Sequence, residues 1–154
     1  MDESIILSNI KDMLFLASDH AGYKLKEVAK EFLNFLQIEY QDLGTHDEEM
    51  VDYPDYAKKL VKKMNPKKDK GILFCGTGSG MCIMANRYKK IRAIVGNNEH
   101  EVLLGRAHND ANVLCLGGRL TGENAAKKMI KIFLDTPFAG EARHKRRIRK
   151  LDIK

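Results

Sequence analysis

Short apolar runs and helical apolar stripes alternate along most of this chain. Positions 13–17 form a continuous apolar run, the pattern of a strand buried on both faces. From Leu25 to Leu36 the apolar residues recur at helical spacing, which predicts an amphipathic helix. The same alternation predicts four more strands, at 38–43, 71–74, 91–95 and 113–116, and five more helices, at 56–64, 81–88, 99–107, 124–134 and 141–151. This pattern predicts a three-layer αβα fold of the α/β class. Its central layer is a five-stranded, parallel, Rossmann-like sheet, and an extra helix follows at the C-terminus.

The chain is predicted to be one domain. Its 154 residues are enough for a single hydrophobic core and few for two, and no repeat, low-complexity tract or linker interrupts the pattern. We expect a single domain over 1–154, in which 1–12 form an N-terminal extension. The extension lacks the basic start and long apolar run of a signal peptide, and no apolar run is long enough for a membrane span. No contact with a membrane is therefore expected.

The cysteine and histidine positions indicate neither disulfides nor metal. The chain has three cysteines, an odd number that indicates no disulfide framework, and their spacing matches no metal-ligand pattern. A reducing cytoplasm is therefore the expected compartment. The five histidines are scattered along the chain and form no cluster with metal-ligand spacing, so no metal site is expected. Cys82 falls in a predicted helix and Cys115 in a predicted strand, and we expect both to belong to the core.

Positive charge is concentrated at the C-terminal end. The net charge is +6, and from position 143 onward seven basic residues face one acidic residue, Asp152. No aromatic residue that could stack on a base lies among them, so nucleic acid is not an expected partner. Arg143 and Arg147 are four apart and share a helix face that suits a phosphate, although a solvated face is the alternative. For His144, in the same helix, a surface position is expected.

The segments that follow the predicted strands are polar and rich in glycine. They are 18–22, 75–80, 97–98 and 117–119. In open parallel sheets, ligands bind outside the carboxyl ends of the strands. Candidate functional residues are therefore expected in these segments.

The segment Cys75-Gly76-Thr77-Gly78-Ser79-Gly80 is a glycine-rich loop between a predicted strand and a predicted helix. Backbone N–H groups in such a loop can converge on an anion. The loop is not the dinucleotide fingerprint, because Met81 stands where the third glycine would fall. A tight turn without chemistry is the alternative. Cys75 favours a functional site, since the positive end of the helix dipole favours its thiolate form.

Five segments, in the same order along the chain, resemble the type B ribose-5-phosphate isomerases and their relatives, the allose-6-phosphate and galactose-6-phosphate isomerases. The resemblance spans nearly the whole chain and rests on residues 17–26, 51–57, 71–81, 108–113 and 143–147. It implies a cofactor-free aldose–ketose isomerase that interconverts D-ribose 5-phosphate and D-ribulose 5-phosphate, in the non-oxidative branch of the pentose phosphate pathway.

The resemblance also implies roles for individual residues. Cys75 corresponds to the base that moves a proton between C1 and C2 through an enediolate, and Thr77 to the hydroxyl that relays a proton between O1 and O2. His108 corresponds to the residue that opens the furanose ring, with Asp19 as its acid–base partner. Backbone amides would hold the enediolate oxygens, at Gly76, Gly78, Ser79 and Gly80. Further substrate contacts are expected at His20, Tyr53, Asn109, Arg119, Arg143 and Arg147.

The resemblance further implies a homodimer with each site built from both subunits, sometimes paired again as a dimer of dimers. One branch of the family uses a glutamate base where this chain has Met81, which cannot accept a proton, so this chain resembles the cysteine branch. Galactose-6-phosphate isomerases divide the cysteine and the histidine between two different chains, whereas Cys75 and His108 occur together here. The segment before Met13 is longer than the family usually shows. Two alternatives remain: an allose-6-phosphate or galactose-6-phosphate isomerase, and a non-catalytic phospho-sugar binding module.

Overall fold

The structure, a computed structural model, describes residues 11–153. The strands are β1 (Leu14–Ser18), β2 (Gln41–Asp42), β3 (Lys70–Cys75), β4 (Ala93–Val95) and β5 (Val113–Gly117). The helices are α1 (Tyr23–Phe35), α2 (Tyr53–Lys63), α3 (Ser79–Ala85), α4 (Glu99–Asn109), α5 (Glu123–Asp135) and α6 (Ala142–Arg149). Most of the predicted N-terminal extension, residues 1–10, lies outside the described residues. No helix within 11–153 is both long and apolar enough to cross a membrane.

The five strands form one sheet in the order β2-β1-β3-β5-β4, and every neighbouring pair is parallel. The predicted α/β fold with a parallel sheet is therefore confirmed. The chain moves outward from β1 to β2 and then returns to the other side of β1, so the strand order reverses between β1 and β3. At such a reversal the loops that follow the two neighbouring strands lead away from each other, and a crevice is left between them. We call the edge where the strands end the carboxyl edge, and the edge where they begin the amino edge.

Each face of the sheet is covered by its own group of helices. Along β3, Ile72 and Phe74 face the cluster formed with α1, α4 and α5, whereas Leu73 and Cys75 face the cluster formed with α2 and α3. Successive strand residues point to opposite faces, so a continuous apolar run is needed when helices cover both. The three predicted layers follow from this alternation.

Two elements differ from the sequence prediction. The strand expected at 38–43 is reduced to Gln41–Asp42, an edge strand that pairs only with β1. Helix α4 continues through Asn109, so His108 and Asn109 lie in its last turn and not in a turn beyond it. The C-terminal end of α4 is stabilised by Asp110. This residue caps the helix in a left-handed conformation and accepts a hydrogen bond from the Arg106 side chain at 2.9 Å.

A buried lysine connects α1 to the end of β2. The Lys26 side chain is fully buried and donates to Asp42 Oδ1 and to the Thr45 carbonyl, both at 2.6 Å. Asp42 also accepts from the Gly44 N–H at 2.9 Å. The same loop pairs with the end of β1, since the Ser18 N–H donates to the Gly44 carbonyl at 2.7 Å. The ion pair therefore supports the backbone from which the first carboxyl-edge loop departs.

The charge of Asp42 depends on these partners. Burial alone would raise the pKa of Asp42, but hydrogen bonds from Lys26, the Gly44 amide and Lys30 lower it below its usual value. The carboxylate therefore contributes stability above its ordinary unfolded pKa, about 4. That contribution is lost as the pH falls through the lower folded pKa.

We expect Asp42→Asn to reduce the free energy of unfolding by about 3 kcal/mol at neutral pH, because it leaves Lys26 buried without its carboxylate. Urea unfolding followed by circular dichroism measures this loss. The difference from the wild type should shrink on acidification below about pH 4. Glu39→Gln removes the exposed Lys11–Glu39 pair and serves as the control, with little change expected. A loss no larger than that of the control would contradict the role of the buried pair.

Candidate active site

Three loops meet at the carboxyl edge beside the reversal point. They follow β1, β3 and β5, and their backbones are hydrogen-bonded to one another. The Asp19 N–H donates to the Phe74 carbonyl at 3.1 Å, and the Gly118 N–H donates to the Cys75 carbonyl at 2.7 Å. The end of β3, from which its loop departs, is therefore held from both sides by main-chain bonds that do not depend on side-chain identity.

Glycines make this approach possible. A Cβ on Gly22 would lie 2.3 Å from the Phe74 carbonyl carbon, and one on Gly118 would lie 2.5 Å from the Ala21 carbonyl oxygen. Such distances are shorter than any side chain permits. The loops can therefore meet backbone to backbone only with glycine at these two positions.

Cys75 ends β3 at the centre of this arrangement. Its side chain is buried, and the Gly78 N–H donates to its Sγ at 3.1 Å. Gly78 has a φ of +83°, a left-handed conformation that brings its N–H back toward the sulfur. An N–H donor binds a thiolate more strongly than a thiol, because the charge strengthens the hydrogen bond. The loop therefore directs one backbone N–H at the Cys75 sulfur.

The three loops and the start of α2 surround a cleft of about 240 Å³. Predicted site residues form most of its wall. The lining residues are Asp19, His20, Ala21, Tyr53, Cys75, Gly76, Thr77, Gly80 and Arg119. Gly78 and Ser79 belong to the same loop, with Gly78 buried behind the sulfur and Ser79 exposed.

Two acid–base groups on the β1 loop are fixed by backbone contacts. The buried Asp19 carboxylate accepts from the Gly22 N–H at 2.9 Å. His20 Nδ1 lies 3.2 Å from both the backbone nitrogen and the carbonyl oxygen of Val51. No side-chain pattern in the sequence indicates a role for Val51, because this contact uses its main chain.

The opposite wall carries a hydroxyl, a phenol and a guanidinium group. The Thr77 hydroxyl accepts from the Ser79 N–H at 3.3 Å and is exposed to the cleft. The Tyr53 ring packs on Gly80, where a Cβ would lie 2.7 Å from the ring. Arg119 lies above Gly76 and is exposed. Together with the thiol and carboxylate, these groups suit a small, polar, negatively charged molecule that exchanges protons.

Four predicted site residues lie elsewhere in the chain. They are His108, Asn109, Arg143 and Arg147. Helix α4 begins where β4 ends and finishes where β5 begins, so His108 and Asn109 lie at the amino edge. There the Asn112 carbonyl accepts from the Gly71 N–H, at the start of β3. Cys75 is four residues further along that strand, roughly 13 Å away. Within one chain, His108 and Cys75 are at opposite edges of the sheet.

The expectation for His144 was wrong. Its side chain is buried, with 6% exposure, and its ring stacks on that of His108 with centroids 4.4 Å apart and planes 13° apart. His144 and Ile148 are four apart and form the inward stripe of α6, while Arg143 and Arg147 are exposed. That stripe could have been found in the sequence, since these are the least charged positions of a strongly basic helix.

The other two cysteines do not line the cleft. Cys115 is fully buried in β5, as expected, and Cys82 is half-buried in α3. Burial raises the pKa of the Cys115 thiol, which keeps it protonated at neutral pH. Within residues 11–153, no three His, Cys, Asp or Glu side chains are grouped to hold a metal ion.

The fold and cleft define a small α/β enzyme whose polar site lies at the reversal point of a parallel sheet. The model of the Ribose/Galactose Isomerase family matches residues 14–151. The ribose-5-phosphate isomerase B of Escherichia coli is 38% identical over 131 residues, which cover 84% of this chain and 87% of that protein.

Solved structures agree with this match. The ribose 5-phosphate isomerase of Thermotoga maritima superposes with a TM-score of 0.87 at 51% identity, covering 92% of this chain and 97% of that one. The ribose-5-phosphate isomerase B of Mycoplasma genitalium, solved with bound ribulose-5-phosphate, gives 0.81 at 41% identity, covering 90% and 92%. This chain belongs to the ribose/galactose isomerase family and is an isomerase, so the predicted resemblance is confirmed.

We expect Gly78→Ala to lower the free energy of unfolding by about 1–2 kcal/mol, because a left-handed conformation costs an L-residue that much. The added Cβ would also lie 3.2 Å from the Leu116 carbonyl carbon. Gly122→Ala is the matched control, since Gly122 has a φ of −67° and open space around it. The control should be neutral or slightly stabilising. Equal urea midpoints for the two variants would contradict this account of the loop.

Proposed function

We propose that this isomerase interconverts D-ribose 5-phosphate and D-ribulose 5-phosphate, as a step of the non-oxidative pentose phosphate pathway. The proposal rests mainly on Cys75, whose sulfur accepts the Gly78 N–H within the cleft and lies in the same loop as the Thr77 hydroxyl. The Mycoplasma genitalium relative with bound ribulose-5-phosphate supports the choice of substrate.

The chemistry requires a base, a proton relay and a site for negative charge. The Cys75 thiolate removes the proton from C2 of the open-chain aldose, which gives an enediolate, and returns it to C1. The Thr77 hydroxyl moves the second proton from O2 to O1. Amides of the 76–80 loop stabilise the developing oxyanions. Protons and electrons balance within the substrate, so the reaction needs no external oxidant or cofactor.

Ring opening must come before proton abstraction, because C2 becomes acidic only beside a free aldehyde. We assign this step to His108, because histidine is the side chain that most often serves as a general acid and base. Asp19 is its acid–base partner in this scheme. Since His108 lies at the amino edge and Asp19 at the carboxyl edge of the same chain, the pair forms only between two copies.

A homodimer with shared sites satisfies this requirement. The cleft of one chain would receive His108, Asn109, Arg143 and Arg147 from the other. Exposed apolar side chains next to the cleft favour such a contact: Tyr53 is 41% exposed, Ile83 58% and Leu120 74%.

The phosphate would be held by arginines. Arg143 and Arg147 are four apart on the outer side of α6, and both are exposed. Arg119 lines the cleft itself. Planar guanidinium groups bind phosphate oxygens in pairs, so two on one helix face form a clamp. His20 and Tyr53 would contact the sugar hydroxyls.

A hexose 6-phosphate is the second candidate substrate, because the description of the matching family includes galactose. Allose 6-phosphate and galactose 6-phosphate differ from the pentose mainly by one carbon, which the loop contacts do not discriminate. Turnover rates of the purified protein on ribose 5-phosphate and on both hexose phosphates decide between these substrates.

We expect the wild-type protein to form ribulose 5-phosphate from ribose 5-phosphate, and Cys75→Ala to reduce kcat by ~10²–10⁴-fold, the usual contribution of a general base. Product formation is followed by the absorbance of the ketose. Cys82→Ala is the control, because that thiol lies outside the cleft, and it should keep most activity. Near-normal turnover by Cys75→Ala would overturn the assignment of the base, and no product from any of the three substrates would overturn the proposed function.

The shared site predicts that two inactive variants restore activity when mixed. Cys75→Ala and His108→Asn each inactivate both sites of their own dimers, whereas a mixed dimer has one site with Cys75 and His108 both intact. Co-expression in equal amounts should recover roughly a quarter of the wild-type activity, since half of the dimers are mixed and half of their sites are intact. Activity no greater than the sum of the two separate variants would mean that the site is not shared.

A further inference from the structure

The His144 ring is a buried imidazole with no assigned role in the reaction. We propose that His144 is a positioning residue for His108: its uncharged ring holds the His108 imidazole in one plane and lets that imidazole alone carry the exchanged proton. This inference rests on the proposed function, in which His108 opens the furanose ring. His144 itself is not placed in contact with the substrate.

The stack is attached to a rigid part of the fold. The Ala139 N–H donates to the Ala107 carbonyl at 3.0 Å, which joins the segment before α6 to the last turn of α4. His144 follows five residues later and lies on His108 with nearly parallel planes. Rotating the His108 ring out of this plane would drive it into the His144 ring. The position of the ring nitrogens of His108 is therefore limited by a buried neighbour whose helix is joined to α4 by this hydrogen bond.

His144 is also arranged to remain uncharged. Its Nε2 is buried and has no hydrogen-bond partner among the described residues, so a proton there would be an unsatisfied buried donor. Burial, the neighbouring His108 and the Arg143 and Arg147 guanidinium groups lower the pKa of His144, and only Glu141 opposes them.

The neutrality of His144 matters because His108 must gain and lose a proton in each cycle. Two protonated rings 4.4 Å apart would repel each other. An uncharged His144 ring avoids that repulsion. A direct acid–base role for His144 is disfavoured, since its Nε2 is buried away from solvent.

The experiment must measure ring opening separately from isomerisation. Cys75→Ala lacks the isomerisation base but retains His108, so it should still catalyse exchange between the α- and β-furanose forms of ribose 5-phosphate. Magnetization-transfer NMR measures that exchange without any net reaction. His108→Asn in the same background should abolish the catalysed part and is the reference for complete loss.

In the Cys75→Ala background, we expect His144→Ala to slow the catalysed exchange about tenfold, in line with the cost of a misplaced catalytic group. His144→Phe keeps a flat neutral ring and should stay close to the parent rate. His100→Ala removes an exposed histidine from the first turn of α4 and should have no effect. Circular dichroism and dimer mass checks exclude a simple loss of folding.

Each result bears on the proposal. Equal losses for His144→Ala and His144→Phe would overturn it, since they would mean that the nitrogen and not the ring plane matters. An unchanged rate in His144→Ala, with full loss in His108→Asn, would also overturn it while leaving the proposed function intact. No exchange in Cys75→Ala itself would instead show that ring opening does not belong to His108, and both assignments would fall. A rate restored only by the aromatic replacement supports the positioning role.

Discussion

The close approach of three backbone segments at the carboxyl edge is the constraint on which the cleft depends. Gly22 lies against the β3 backbone at Phe74, and Gly118 lies against the β1 loop at Ala21. Any side chain at either glycine would separate the loops, and the hydrogen bonds that hold the Cys75 loop from both sides would be lost. The position of Cys75 in the cleft therefore relies on two glycines that have no side chain.

The parallel sheet determines which groups can meet within one chain. Every loop that follows a strand opens at the carboxyl edge, whereas each helix that leads into the next strand has its last turn at the amino edge. Cys75, Thr77 and Asp19 belong to the first kind of position, and His108 belongs to the second. Residues of both kinds can serve one substrate only if two copies of the chain face each other. The proposed dimer is thus a consequence of topology combined with the proposed reaction.

Buried polar groups in this protein have contrasting surroundings. Lys26 is buried with a carboxylate and a carbonyl as partners, and it stabilises the β2 end and the loop beside β1. His144 is buried with its Nε2 unpartnered and remains neutral. An unpaired buried charge is costly. Lys26 is therefore buried as part of an ion pair, whereas His144 is buried as an uncharged ring.

The sequence by itself determined the α/β alternation, the parallel sheet and the carboxyl-edge loops, because apolar period and glycine content follow from burial and turn geometry in a local segment. It also placed Cys75, Asp19 and Arg119 at or shortly after strand ends, and all three line the cleft. Only the tertiary structure decided that β2 is a two-residue edge strand, that His20 contacts the Val51 main chain, and that His144 is buried on His108. Each of these contacts depends on segments far apart in the chain or on backbone atoms common to all residues. The charge pattern of α6 indicates that His144 faces inward, but it does not indicate that the partner is His108.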